Sequence, residues 1–514
     1  MGTRRHNRIF CSAAASGGMA ATSGANGAGA AKRPSAQAGA GAGGGYFRRH
    51  FGIGEDLLRV VMREALSRGG DYADLYFQHR VSDFIGFEDG QVNRAAVSMS
   101  LGCGVRVLKG DQSGFAFTEE LTRASLLRAA KTAATIADDA PAATPNAWRP
   151  VAVPDLYAAE PVWVSVAPAE KLRIAERVGQ QMNALDARVL RATVQLGCED
   201  EAFLVACSDG ALAEDVRPMT YIYAGCTAAQ GDRVESGMYS RSARSDISYY
   251  SDAFLQHVAH EAVQRTVALF DARVPAAGEM PVVLAPASSG ILLHEAMGHG
   301  FEADFNRKGT SIFADMMHQR VAPPFVHITD TGLLPEARGA IHVDDEGIPS
   351  QRTPLVEDGI LVSYLHDRLS ARHYGVSPTG NGRRESFRAM PLPRMRITLM
   401  ENGPHDPAEI IRSVKRGLYA VDFSNGQVAI GAGDYSFYVK NGFLIEDGRL
   451  GAPVKDVNLI GNGPQTMQRI EMVGNDMAID GGSWTCGKDG QSVPVGLGLP
   501  TIKVSAITVG GVNT

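Results

Sequence analysis

The first 54 residues contain no acidic side chain; Glu55 is the first. Up to Gly45 the chain is mostly Gly, Ala and Ser with scattered Arg. Such a composition cannot bury enough apolar surface to offset its chain entropy, so residues 1–50 read as a disordered extension. The Arg4-Arg5 pair and the missing acids resemble an export signal or an organelle transit peptide. Ser12 to Gly45 never forms a sustained apolar run, however, which argues against the twin-arginine version and leaves an uncleaved flexible tail, or a start codon called too early, as an equally good reading. No apolar run is long enough to span a bilayer. Cysteine is sparse: Cys11, Cys103, Cys198, Cys207, Cys226 and Cys486 show no paired spacing. That excludes a disulfide framework and points to reduced, mostly buried thiols in a reducing compartment, the cytoplasm, with export or organelle targeting left open. A strong charge is lacking too. A net −6 over 514 residues gives no reason to expect nucleic acid or an anionic membrane as partner.

A chain of this length exceeds one compact core and implies two or three domains. Leu57, Leu58, Val61 and Ala65 recur at helical spacing, followed by strand-like runs at 72–77, 83–87 and 101–108 and a helix over 121–137. Residues 51–140 therefore read as an α/β N-terminal domain. Pro- and Ala-rich 140–154 reads as a linker, followed by an amphipathic helix over 168–185. Strands at 189–196, 202–208 and 219–228 and a helix over 253–270 complete a middle α/β region, 141–275. From 276 to 514 short strands and Gly turns dominate, giving a mostly β C-terminal domain behind one conspicuous helix. The fold class expected is α+β.

That helix carries Ile291-Leu292-Leu293-His294-Glu295-Ala296-Met297-Gly298-His299-Gly300. Two imidazoles are common zinc ligands, and a glutamate beside the first can take a proton from the attacking water. The usual two-histidine motif has one residue fewer between the histidines. Five residues apart, at about 100° per residue, the two rings would differ by roughly 140° on a regular helix. The spacing therefore predicts a π-type turn, in which i→i+5 bonding realigns them, and Gly298 eases the distortion. A catalytic zinc needs a third protein ligand. Glu302 and Asp304 lie nearby on the same segment, and Cys486, with Lys488 two residues on, sits in a Gly-flanked turn. Spacing does not choose between Glu302 and Cys486.

The chain resembles the TldD/PmbA (modulator of gyrase) family of metallopeptidases, in its TldD-type catalytic branch. The likeness runs from about Asp71 to the C-terminus. It is carried by Asp71–Gln78, His294–His299, Asp304–Ser311, Asp344–Gly347, Pro378–Ser386, Met472–Asp476 and Cys486–Gly496. The resemblance implies an α/β N-terminal and a largely β C-terminal domain. It also implies zinc on His294, His299 and Cys486, and Glu295 as general base. Its members act on peptides or unfolded protein segments and pair with a related TldE/PmbA subunit that lacks the metal motif, a homodimer being the alternative. Two features depart from the pattern: the Gly/Ala-rich extension, and Arg396-Ile397 where Thr-Asn is usual.

Other segments invite weaker assignments. Arg383 and Arg384 could grip a substrate carboxylate, although a structural ion pair is the stronger reading. Gln491 and Ser492 belong to a stretch that could offer backbone groups to an extended peptide. Asp344-Asp345-Glu346 reads as an exposed acidic turn rather than a second cation site. The function expected is zinc-dependent peptide hydrolysis. A non-catalytic, dimeric peptide-binding scaffold with a structural zinc is the alternative, and an amidase a weaker third.

Overall fold

The computed structural model describes residues 9–16, 45–137 and 141–511. Most of the stretch expected to be disordered, Arg4-Arg5 included, lies outside the described residues. Two described elements fall in or at the end of that stretch: strand β1 (Ile9–Ser16) and helix α1 (Tyr46–Phe51). Each is held by something outside itself. Phe47 of α1 is fully buried, its ring centroid 6.0 Å from that of Phe77, and its N–H donates to Glu214 at 2.8 Å. β1 is held by backbone pairing to two strands of the C-terminal domain. A segment too poor to build a core can still borrow one.

Helix α2 (Glu55–Ala65) leads into strands β2 (Tyr72–Glu88), β3 (Gln91–Lys109) and β4 (Gln112–Thr118) and helix α3 (Arg123–Ala134). After the linker come helix α4 (Pro168–Leu185), strands β5 (Val189–Cys207), β6 (Ala211–Gln230) and β7 (Arg233–Ala243), and helix α5 (Asp252–Val267). All six strands belong to one sheet, in the order β4-β3-β2-β5-β6-β7, because β2 pairs antiparallel with β5 along nearly its whole length. The N-terminal and middle regions thus share a sheet. α2 and α3 pack on a core with Leu75, Phe77 and Val105, while α4 and α5 pack on one with Val194, Leu196 and Ile222.

The C-terminal domain opens with β8 (Gly278–Leu284). It continues through β9 (Arg416–Ala429), β10 (Asp434–Glu446), β11 (Val457–Asn462), the hairpin β12 (Ser483–Lys488) and β13 (Gln491–Pro494), and β14 (Ile502–Gly511). β8, β9, β10, β11 and β14 pair in a closed ring. The outer edge of β9 is divided: residues 418–420 pair with β8, and residues 423–428 pair with β1. β1 in turn pairs with β12. A second sheet, containing Ile328–Thr331, Ile397–Met400 and Gly496–Leu499, packs into the same large core. The whole is an α+β fold.

The Asp344-Asp345-Glu346 turn is buried, not exposed. It is the anionic half of a charged seam between the halves of the molecule. Arg217 reaches Asp345 at 2.7 Å, and Arg106 of β3 lies 2.6 Å from both Glu346 and Asp74. Asp345 and Glu346 are tolerated this deep because each meets an opposite charge. Asp344 instead accepts the backbone N–H groups of Glu346, Ile348 and Gly382, and burial pushes its carboxyl up to about 7.

Candidate metal centre

β8 delivers the chain through a tight turn, with Ala287 at φ 66°, into a short helix over Gly290–Leu293. The next five residues, His294–Gly298, form the expected π-type turn, and the N–H of His299 donates to the carbonyl of His294, five residues back. The wider turn brings the two rings together, centroids 4.9 Å apart and planes at 85°. A Cβ at Gly298 would overlap the sulfur of Met395, so any larger residue there needs the Met395 side chain to move.

Cys486 arrives on β12. Its hairpin turns at Asp489-Gly490, both at positive φ (52° and 73°), so Lys488 pairs with Gln491 and Cys486 with Val493. An Asp-Gly pair favours this two-residue geometry and fixes the register, and with it the position of the cysteine. Ligand-type atoms of His294, His299 and Cys486 all lie within 4.8 Å of one another, and all three residues are fully buried. The Cys486 sulfur is 3.4 Å from Nε2 of His299.

Glu302 stands behind this trio. Its Oε2 lies 2.9 Å from Nδ1 of His299, on the ring edge away from Cys486, and 3.2 Å from Lys488 Nζ. Lys488 also donates to Asp304 at 2.6 Å. Burial opposes ionisation of Glu302, yet Lys488 and the His299 ring overcome it and hold the carboxyl at about 2. Of the two third-ligand candidates, Cys486 lies with the two histidines, and Glu302 lies behind the His299 ring. Behind Cys486, the buried Arg394 donates to its carbonyl at 2.6 Å. No local motif in the sequence marks Arg394. The His299–Glu302 spacing, one helical turn, is the signal from which the bracing contact could have been read.

The electrostatics suit a cation. Burial resists ionisation of the Cys486 thiol, but the His299 and Arg394 charges hold it well below the ordinary thiol value. Burial would depress His299, but the Cys486 sulfur and Glu302 outweigh it and raise the ring well above the usual histidine value. Among the described residues, neither ring nitrogen of His294 and neither carboxylate oxygen of Glu295 has a hydrogen-bond partner. Burial pushes the Glu295 carboxyl up, against the pull of the two histidines. Orphaned buried polar atoms are costly, so their clustering beside a soft donor fits a bound metal.

The remaining candidates fall elsewhere. Arg383 donates to the carbonyls of Met395 and Pro494 at 2.6 and 2.7 Å, and Arg384 to Asp74 at 3.2 Å. Both are buried. Gln491 spends its amide on Glu385 and Met390. Ser492 is exposed and borders a cavity of about 500 Å³ between the N-terminal sheet and the Cys486 hairpin, with Thr485, Arg244 and Arg338 also on its wall. Arg396, the departure from the family pattern, is fully buried against Asp330 at 2.8 Å and touches no open space. Cys103, Cys198, Cys207 and Cys226 are buried free thiols. No helix among the described residues is long and apolar enough to cross a membrane.

A buried metal-type trio with an unpartnered carboxylate beside it, set in an α+β frame, has the layout of a metal-dependent hydrolase. Three adjoining family models match the chain: PmbA/TldA metallopeptidase domain 1 over residues 73–137, the central domain over 163–270 and the C-terminal domain over 277–511. The chain is 39% identical to a metalloprotease TldD homolog of Haemophilus influenzae, over 87% of this chain and 94% of that one. It is 36% identical to a metalloprotease TldD homolog of Buchnera aphidicola, over 89% and 96%. Among solved structures, a putative modulator of DNA gyrase from Thermotoga maritima superposes with TM-score 0.71 at 19% identity, over 89% of this chain and all of that one. TldE from Thermococcus kodakarensis superposes at 0.69 and 17%, over 89% and 99%. The chain belongs to the PmbA/TldD family of metallopeptidases, on its TldD side.

Proposed function

We propose that the protein is a zinc-dependent peptidase acting on extended peptides or unfolded protein segments, with Glu295 as its general base. The observation that carries this reading is the convergence of His294, His299 and Cys486 beside a buried Glu295 that has no hydrogen-bond partner among the described residues. Two imidazoles and a thiolate leave a fourth position open on a tetrahedral ion, as catalytic rather than structural sites do. A zinc ion held there would polarise the scissile carbonyl and acidify water.

The chain's own residues supply the rest. Glu295 takes the proton of the attacking water and returns it to the leaving amine; burial raises its affinity for that proton, which suits the second step. Glu302 and Lys488 hold the His299 ring in place. A dry site strengthens each of these interactions. The resemblance to TldE, named in one of the superposed structures, supports pairing with a TldE/PmbA-type subunit, with a homodimer as the other arrangement.

The test is mass-spectrometric cleavage of unstructured peptides, with metal content measured in parallel. Glu295→Gln is expected to keep its zinc and lose about 10²–10⁴-fold in turnover. Cys486→Ser is expected to lose zinc; full zinc content and full activity in that variant would remove Cys486 from the ligand set. If wild type and Glu295→Gln both hold zinc and neither cleaves, the peptide-binding scaffold takes over.

A further inference from the structure

β1 enters the C-terminal sheet from far outside it in sequence. It lies between β9 and β12 and runs antiparallel to both. On β9, Phe10 faces Gln427, position 11 faces Gly426 and Ser12 faces Asn425. On β12, position 11 faces Cys486, Ser12 faces Thr485, Ala13 faces Trp484 and Ala14 faces Ser483. Position 11 is therefore flanked by the metal-trio cysteine on one side and Gly426 on the other. Gly426 lies against the general-base candidate, since a Cβ built on it would stand 3.3 Å from Cγ of Glu295. The backbone of β1 thus crosses the metal centre between its cysteine and its carboxylate.

The two flanking edges define what fits there. Strands in a sheet are about 4.8 Å apart, so β9 and β12 stand roughly 9.6 Å apart, leaving room for one extended chain. Each edge presents unpaired N–H and C=O groups unless such a chain is present. Residues 9–16, Ile-Phe-Cys-Ser-Ala-Ala-Ala-Ser, contain no charge, no Gly and no Pro, so every backbone N–H can join a ladder. The family's domain 1 model matches from residue 73 onward, so this segment lies ahead of it.

We infer that residues 9–16 are a tethered, autoinhibitory strand that fills the protein's own peptide slot. This rests on the reading above that an extended peptide is the substrate of the same metal site. A slot one strand wide cannot hold the tethered segment and a substrate together, so peptide binding must displace β1. If β1 fills the slot nine-tenths of the time, the apparent Kd for any competing peptide rises about tenfold.

The experiment uses the full chain carrying Glu295→Gln, so that binding is read without chemistry. Its comparison carries Ser12→Pro and Ala13→Pro in addition, which deletes one ladder donor toward each edge. The probe is a fluorescein-labelled copy of residues 9–16 with serine in place of Cys11, followed by anisotropy. Hydrogen exchange is measured on both proteins without probe. The expected result is a Kd at least tenfold lower in the proline variant, with faster exchange at residues 425–427 and 484–486. Equal probe affinity together with equal exchange would overturn the proposal. So would a cut within residues 9–16 that appears when Glu295 is intact, because the segment would then be a substrate and not a plug. The same proline pair in a Glu295-intact chain separates the two readings. A changed probe affinity with no peptide hydrolysis by either chain would keep the tethered strand and discard the peptidase.

Discussion

Glu302 sits three residues after His299, fully buried, with one oxygen on the imidazole and a lysine beside it. A histidine whose far nitrogen is held by a carboxylate is fixed in tautomer and ring orientation, which raises its strength as a donor. Glu302 is therefore a positioning residue. Glu302→Gln keeps the size and one hydrogen-bonding oxygen but removes the charge that Lys488 and His299 share. Metal affinity should fall about 10–100-fold, read by competition with a chelator of known affinity. Glu302→Asp, which restores charge at shorter reach, should recover part of the loss; identical affinity in all three proteins would refute the bracing role. Arg396 carries the opposite lesson. It is fully buried and paired with Asp330 inside the protein, so its charge is spent on a contact within the fold.

At the scale of elements, amphipathic helices were fully legible: α4 spans the residues expected, and α2, α3 and α5 lie within a few. The π-type turn was legible as well, because five-residue spacing leaves two rings on different faces of any regular helix. Strand lengths were not. The polar runs around Arg80 and Glu199 look like breaks, but β2 and β5 pass straight through them. Arg80 meets Glu201 at 3.1 Å, and Ser82 donates to Glu199 at 2.7 Å across the register. A local reading sees charge and predicts a loop; the partner strand that neutralises it lies more than a hundred residues away. The Cys486 hairpin is a mixed case, its turn visible in Asp489-Gly490 and its destination beside His299 invisible without the fold.

One contact between elements makes a pH prediction. Asp422 on β9 is buried and receives Arg265 of α5 at 3.2 Å and Ser288, before the motif helix, at 3.4 Å. Burial, with Asp480 adding to it against the pull of Arg265, pushes its carboxyl up to about 7. The folded protein therefore binds this proton more tightly than the unfolded chain, whose aspartate titrates near 3.9. The sign follows: its stabilisation is complete below about pH 4 and is lost as the pH rises through about 7. Asp422→Asn mimics the protonated form at every pH. Its melting temperature relative to wild type should climb between pH 5 and pH 8; parallel curves over that range would sink the assignment.

The two halves of the molecule meet through a seam of buried charge and, beside it, a small apolar cluster in which Val343 and Phe387 pack with Tyr72, Tyr76 and Phe203. Arg106 on β3 reaches Asp74 of its own sheet and Glu346 of the C-terminal domain, each at 2.6 Å, while Arg384 supports Asp74 from the far side at 3.2 Å. Because β2, β3 and β5 share one sheet, this contact couples the entire N-terminal half to the part that bears the metal centre. A buried pair is worth little against an apolar replacement of both partners, but removing one partner strands the other, at about 3–5 kcal/mol. Arg106→Ala leaves Glu346 without its cation and Asp74 with only Arg384. Denaturant unfolding should then lose about 3–5 kcal/mol and split into two transitions, followed separately by Trp163 in the middle region and Trp484 beside the metal centre. Replacing both sides with apolar residues, Arg106→Met with Glu346→Leu, should recover much of the loss. A single transition of unchanged midpoint in Arg106→Ala would mean that the two halves are joined elsewhere, and that the metal centre does not depend on this seam.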